Sequence, residues 1–135
     1  MAYNDFPPVR NADHVREIFF HVTGVADIGA ARGGAAAGFT IVRGSPEIAS
    51  FVSSAEGVAV ITLDAVYVDI LEVRLSPLNI DDMFCTLDAY SVANKTITLT
   101  FRQQSTEAVA AADKDPDSGV IKGCIVVLDE THALT

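Results

Sequence analysis

Hydrophobic and polar residues alternate strictly over residues 95–102, which read Lys-Thr-Ile-Thr-Leu-Thr-Phe-Arg. Ile97, Leu99 and Phe101 fall on one face of an extended chain, and three threonines fall on the other. Successive side chains of a β-strand point to opposite faces of the sheet, so this period of two is typical of a strand with one buried face. The pattern predicts a half-buried β-strand over these eight residues.

Similar apolar runs, each bounded by turn-forming residues, recur along the chain. They predict further strands at residues 15–23, 39–43, 58–63, 70–76, 83–90 and 120–129, while residues 48–53 are ambiguous. No alternation of strands with helices supports a parallel sheet. Short strands separated by turns favour an all-β fold, either an antiparallel β-sandwich or a jelly-roll-like barrel.

Glycine occupies four of the ten positions in residues 29–38. Each glycine costs a helix about 1 kcal/mol relative to alanine, so we expect a flexible or irregular loop there. A phosphate-binding loop is disfavoured, because no Gly-Lys-Ser/Thr follows and the glycine spacing differs from that of dinucleotide-binding loops. A second glycine signal, Glu-Gly at 56–57, predicts a turn.

Three further connections have specific predictions. Residues 91–94 read as a hairpin connection in which Asn94 is the turn residue. Asp64 is a suitable N-cap for a short helical turn over residues 65–68. Residues 107–112 are alanine-rich and fit either a short helix or an irregular loop.

The length of 135 residues is that of one domain with a single core. Residues 1–13 are polar and contain Pro7 and Pro8, which restrict the backbone and lack amide donors, so an extended N-terminal arm is expected. We predict a β-sandwich domain over residues 14–129 and a C-terminal tail over residues 130–135.

The formal net charge of −9 argues against direct binding of nucleic acid, because contacts to phosphates require clustered Lys and Arg. The nine basic residues are scattered along the sequence. No secretory signal and no apolar stretch of membrane-spanning length is apparent, so we expect a soluble protein made in a cytoplasm, without a membrane partner.

The two cysteines, Cys85 and Cys124, belong to no C-x-x-C motif and have no nearby histidine. Each lies in an apolar run, where a free thiol behaves as a small hydrophobic side chain. We favour two reduced thiols, although the sequence alone leaves a disulfide open.

Asp113, Asp115 and Asp117 form the strongest candidate for a metal site, because aspartates at alternate positions can converge on a hard cation such as Ca²⁺. The match to an EF-hand loop is poor. Its sixth position is Ser118, its twelfth is Cys124, and Pro116 interrupts it. A solvated acidic loop is the favoured interpretation, and no cofactor is predicted.

No sequence pattern indicates a catalytic site. The histidines His14, His21 and His132 lie in separate segments without metal-binding spacing. No G-x-S-x-G motif is present, and the adjacent carboxylates of Asp81 and Asp82 could equally cap a turn. We therefore expect a protein that is not an enzyme, and a hydrolase using His14 or His21 is the last of the alternatives.

Residues 60–71, 87–99 and 121–128, together with the Gly-Ala stretch that runs into Gly38-Phe-Thr-Ile41, resemble small virion structural proteins of tailed bacteriophages. The similarity covers roughly residues 30–129. It lies in the general residue pattern and its order along the chain, not in a diagnostic motif. It implies a capsid decoration (cement) protein on the virion surface that contacts the major capsid protein and forms a homo-oligomer, with a trimer favoured. No catalytic residue is implied.

If this resemblance holds, the N-terminal arm is the expected intersubunit contact, because an apolar anchor adjoins a stiff proline segment. The predicted interface residues are Tyr3, Phe6, Pro7, Pro8 and Arg10. Two alternatives remain: a structural component of a phage tail or fibre, and a ligand-binding β-sandwich assisted by Ca²⁺ at the three aspartates.

Overall fold

The computed structural model describes residues 15–34, 38–44, 46–78, 83–104 and 112–129. These residues form nine β-strands and one helical turn. The strands are β1 (Val15–Gly24), β2 (Phe39–Gly44), β3 (Ile48–Ala55), β4 (Val58–Leu63), β5 (Asp69–Leu78), β6 (Met83–Ser91), β7 (Thr96–Gln103), β8 (Ala112–Asp113) and β9 (Val120–Leu128), and the helical turn is α1 (Ile28–Ala31).

The strands form two antiparallel sheets. Sheet I has the strand order β2-β1-β9-β5, and sheet II has the order β3-β4-β7-β6, with the short β8 beside β7. β2 contacts β3 at one edge of the molecule, and β5 contacts β6 at the other. The sheets pack against each other, which confirms the predicted all-β sandwich.

The core lies between the sheets and follows the alternation seen in the sequence. Ile97, Leu99 and Phe101 of β7 are at most 1% exposed, whereas the intervening threonines are half-buried. Ile18 of β1 and Ile125 of β9 are fully buried members of the same hydrophobic cluster from sheet I. Removing such side chains from water is the main favourable contribution to the stability of the sandwich.

Four phenylalanines pack together inside this core. The ring centroid of Phe51 lies 5.7 Å from that of Phe20 and 4.8 Å from that of Phe39, and the rings of Phe39 and Phe101 lie 6.4 Å apart. The three pairs are tilted, edge-to-face and stacked, respectively, and such ring pairs add to the energy of burial. The aromatic group joins β1 and β2 of sheet I to β3 and β7 of sheet II.

Some local predictions need correction. The ambiguous segment at 48–53 is strand β3. The helical turn predicted over 65–68 is wrong, because these residues form bends and irregular chain without a helix. Asp64 accepts a hydrogen bond from the Tyr67 hydroxyl instead of capping a helix. Part of the glycine-rich loop is helical, since Ile28–Ala31 form α1 with Asp27 as its N-cap.

The hairpin between β6 and β7 is confirmed. Its left-handed residue is Lys95, with φ of 64°, and not Asn94, whose N–H donates to Ser91 Oγ at 3.2 Å. The predicted arm at 1–13, the tail at 130–135 and most of 107–112 lie outside the described residues. Within the described ranges, no helix is long and apolar enough to cross a membrane.

Candidate functional site

The aspartates proposed as cation ligands bind separate partners. Asp113 Oδ1 accepts a hydrogen bond from Arg102 Nη1 at 3.1 Å, and Asp117 Oδ1 accepts one from the backbone N–H of Ile28 at 3.0 Å. The carboxylate of Asp115 is buried against other groups. In the part of the chain that the structure describes, no group of three potential ligands could hold a metal ion. The cation interpretation of Asp113, Asp115 and Asp117 therefore gains no geometric support.

Asp115 is the centre of a polar network at one end of the sandwich. Its side chain is paired with the guanidinium of Arg32, and its Oδ1 accepts the N–H of Gly57 at 2.9 Å. Arg32 Nε donates to Ser53 Oγ at 3.0 Å, and the N–H of Asp115 donates to Glu56 Oε2 at 2.9 Å. The network joins the loop after α1, the β3–β4 turn and the loop before β9. A carboxylate that is 3% exposed needs such partners to offset its desolvation.

Gly57 is required where the β3–β4 turn meets this loop. Its φ is +72°, and a Cβ there would lie 2.7 Å from both the nitrogen of Lys114 and the oxygen of Phe101. Only glycine lacks both the steric penalty of that φ and the side chain that would collide. The close approach also lets its N–H reach Asp115.

A second polar cluster joins the sheets at another point. Arg16 of β1 forms ion pairs with Glu47, just before β3, at 3.0 Å and with Asp129, just after β9, at 2.7 Å. The hydrogen bond to Glu47, followed by the charge of Asp129, raises the pKa of Arg16. Burial and the hydrogen bond to Asp64 raise the pKa of Tyr67 to about 12. Because the Arg16 side chain is 47% exposed, we assign each ion pair a stabilisation of less than about 1 kcal/mol.

The cysteines are unpaired, as predicted. Cys85 of β6 is partly buried and packs against the core, and burial raises the pKa of its thiol to about 12. Cys124 of β9 is buried on the outward side of sheet I, where its Sγ lies 3.5 Å from Arg74 Nη2. Burial raises its pKa although the Arg74 charge opposes this. A reactive cysteine has a lowered pKa, whereas the pKa values of both thiols are raised.

The edge formed by β5 and β6 exposes apolar side chains. Leu87 and Tyr90 pair in register with the fully buried Leu99 and Ile97, yet they are 41% and 50% exposed. On β5, Leu71 lies at a register shift and is 49% exposed. We call Leu71, Leu87 and Tyr90 the apolar edge. β5 and β6 are each an outer strand of their sheet, and they contact each other at this edge of the molecule.

The charge along β6 also distinguishes the apolar edge. Asp88 is the one charged residue among the nine of β6, which has no lysine or proline. Edge strands usually carry such residues because they discourage pairing with other chains. β5, the edge strand of the other sheet, has Asp69, Glu72, Arg74 and Pro77. β6 is therefore the less protected of these two neighbouring edges.

Several predicted residues have no described position. The proposed interface residues lie outside the described residues; they are Tyr3, Phe6, Pro7, Pro8 and Arg10. The same holds for two of the histidines, His14 and His132, and for the adjacent carboxylates of Asp81 and Asp82. His21 lies on the outward side of β1, between Arg43 of β2 and Lys122 of β9.

Sequence reasoning missed the apolar edge. Residues 83–90 were predicted as a strand, but nothing in that run shows that β6 would be outermost in its sheet. The available signal was the irregular alternation of Met-Phe-Cys-Thr-Leu-Asp-Ala-Tyr, which differs from the regular pattern of β7.

Comparison with protein families, with characterised proteins and with solved structures found no match for the chain.

Proposed function

We propose that this chain is a structural protein of a tailed-phage virion, a capsid decoration protein that stabilises the major capsid lattice through subunit contacts. The observation that carries the proposal is the apolar edge of Leu71, Leu87 and Tyr90, a surface suited to binding protein. Large apolar side chains grouped on the surface of a soluble domain commonly mark such contacts. The similarity of residues 30–129 to phage structural proteins supplies the virion context.

The occupant that we propose for the apolar edge is a second copy of this chain. With a net charge of −9, two copies repel each other over most of their surfaces. β6 itself has one charged residue, Asp88, so burial of Leu87 and Tyr90 meets little electrostatic opposition from that strand. Homo-oligomers of decoration type, with a trimer favoured, would then form through this edge.

Oligomerisation also explains how a small protein could stay on a capsid. Each copy in an oligomer would contact the major capsid protein, and linked contacts strengthen one another by raising the effective concentration. The predicted N-terminal arm, residues 1–13, would supply a further contact from each copy. This role needs rigid subunits, and the buried sandwich core is suited to it.

Co-sedimentation with phage shells tests the virion role. We expect the purified chain to bind saturably to shells assembled from a major capsid protein of the same phage, and to prefer expanded shells. Binding to tail or fibre assemblies instead would move the chain to that part of the virion. Binding to none of these assemblies would contradict the proposal.

A further inference from the structure

A row of basic side chains crosses the outward side of sheet I. In the strand registers, Arg43 of β2 lies opposite His21 of β1, and His21 lies opposite Lys122 of β9. The three side chains line one depression of about 420 Å³, together with backbone and aromatic groups of β1, β2 and β9. We call Arg43, His21 and Lys122 the basic row.

The basic row places two permanent charges on one exposed face. Arg43 and Lys122 lie on β2 and β9, on either side of β1, in a chain that has twice as many acidic as basic residues. In the described ranges, Arg43 and Lys122 form no salt bridge, whereas Arg74 nearby is paired with Glu17 at 2.9 Å and with Glu72 at 3.7 Å. The basic row is thus placed where it can bind anionic groups from outside.

We propose that the basic row binds an acidic segment of a partner protein through its carboxylates. Neighbouring strands lie about 4.8 Å apart, so Arg43 and Lys122 start about 10 Å apart across His21. In an extended segment, side chains on one face repeat about every 7 Å, a separation that the long Arg and Lys side chains can span. Arg can also bind a carboxylate through two parallel hydrogen bonds.

The charge of the whole molecule selects this ligand over nucleic acid. A long phosphate chain would extend beyond the basic row onto the anionic surface of a molecule with net charge −9. A short segment with two or three carboxylates is small enough to contact the depression without reaching the anionic surface around it. The inference does not rest on the virion assignment, because any acidic protein partner would use the same contacts.

Fluorescence anisotropy with a labelled hexaglutamate peptide tests the proposal, with hexaglutamine carrying the same label as the reference peptide. The full chain is titrated at low ionic strength, where surface charges are least screened. The test variant is the double substitution Arg43→Gln and Lys122→Gln. The matched control is Lys95→Gln and Lys114→Gln, which removes the same charge away from the basic row.

We expect hexaglutamate to bind and hexaglutamine not to bind, with about tenfold weaker binding by the basic-row variant and little change in the control. Circular dichroism and the single variant Lys122→Gln, at an exposed side chain, separate lost binding from lost folding. Equal weakening in both double variants would overturn the proposal by showing a general charge effect. Tighter binding of a short oligothymidylate than of hexaglutamate would replace it with nucleic-acid binding.

Discussion

At the scale of single residues, the carboxylate of Asp115 illustrates how a buried charge can hold a loop in place. It contacts Arg32 and Gly57, which belong to separate segments of the chain. The alternating aspartates were visible in the sequence, but their partners were not, because Arg32 lies 83 residues away along the chain. The same three acidic residues could equally have surrounded a cation.

Replacing Asp115 by Asn should lower the free energy of unfolding by about 3 kcal/mol, because the substitution leaves the Arg32 charge without its partner. The control is Asp113→Asn, which removes an exposed pair with Arg102 and should cost less than about 1 kcal/mol. Urea denaturation measures both losses. Equal losses would show that the Asp115 network is not a main determinant of stability.

Gly57→Ala should destabilise the protein more than Gly33→Ala. Both glycines have positive φ, so both substitutions cost about 1 kcal/mol of backbone strain. Only the Cβ at position 57 would also collide with the backbone of Lys114 and Phe101, since nothing lies within 4 Å of a Cβ at position 33. Thermal melting of the two variants makes the comparison, and equal melting temperatures would contradict the close approach.

The thiol of Cys85 should make stability fall at alkaline pH. Burial raises its pKa from 9.0 to about 12, so the folded chain holds the proton more tightly than the unfolded chain does. The stabilisation is complete below about pH 9 and is lost as the pH rises from there toward about 12. Urea unfolding across this range should decline less steeply for Cys85→Ala than for the parent. Parallel declines would exclude the thiol as a cause.

At the scale of elements, the residues that form each strand could largely be predicted from the sequence. The strands with which each one pairs could not. Regular alternation in β7 indicated its buried face because one side of the strand packs on the core. β3 was ambiguous in sequence, and its pairing with β4 contains two register shifts that interrupt the expected period. The segment at 65–68 connects β4 of sheet II to β5 of sheet I without a helical turn, against its local capping signal.

The apolar edge should mediate self-association. In sedimentation velocity, the double variant Leu87→Gln and Tyr90→Gln should shift the chain from oligomer to monomer, because polar side chains there would lose their contact with water on association. Val42→Gln is the matched control, since Val42 is a 49% exposed strand residue on β2 at the opposite edge. A parent chain that is already monomeric, or equal effects of both changes, would contradict this surface.

At the scale of the whole molecule, the strands and turns visible in the sequence predicted the all-β sandwich. Which residues share a surface depends on the order of the strands in each sheet. β9, the last of the strands in the described residues, lies between β1 and β5 at the centre of sheet I. That arrangement makes β5 an outer strand of sheet I and brings Arg43, His21 and Lys122 into one row. Such long-range pairings depend on the packing of the entire chain, and one sequence does not reveal them.

The most direct test of the structural role is co-sedimentation of the parent chain and the Leu87→Gln, Tyr90→Gln variant with expanded phage shells. The account predicts saturable binding by the parent and weaker retention of the variant, because a monomer loses the linked contacts of an oligomer. The Val42→Gln control should bind as the parent does. Absence of parent binding to the shells would contradict the decoration role, and full retention of the variant would contradict the role of the apolar edge.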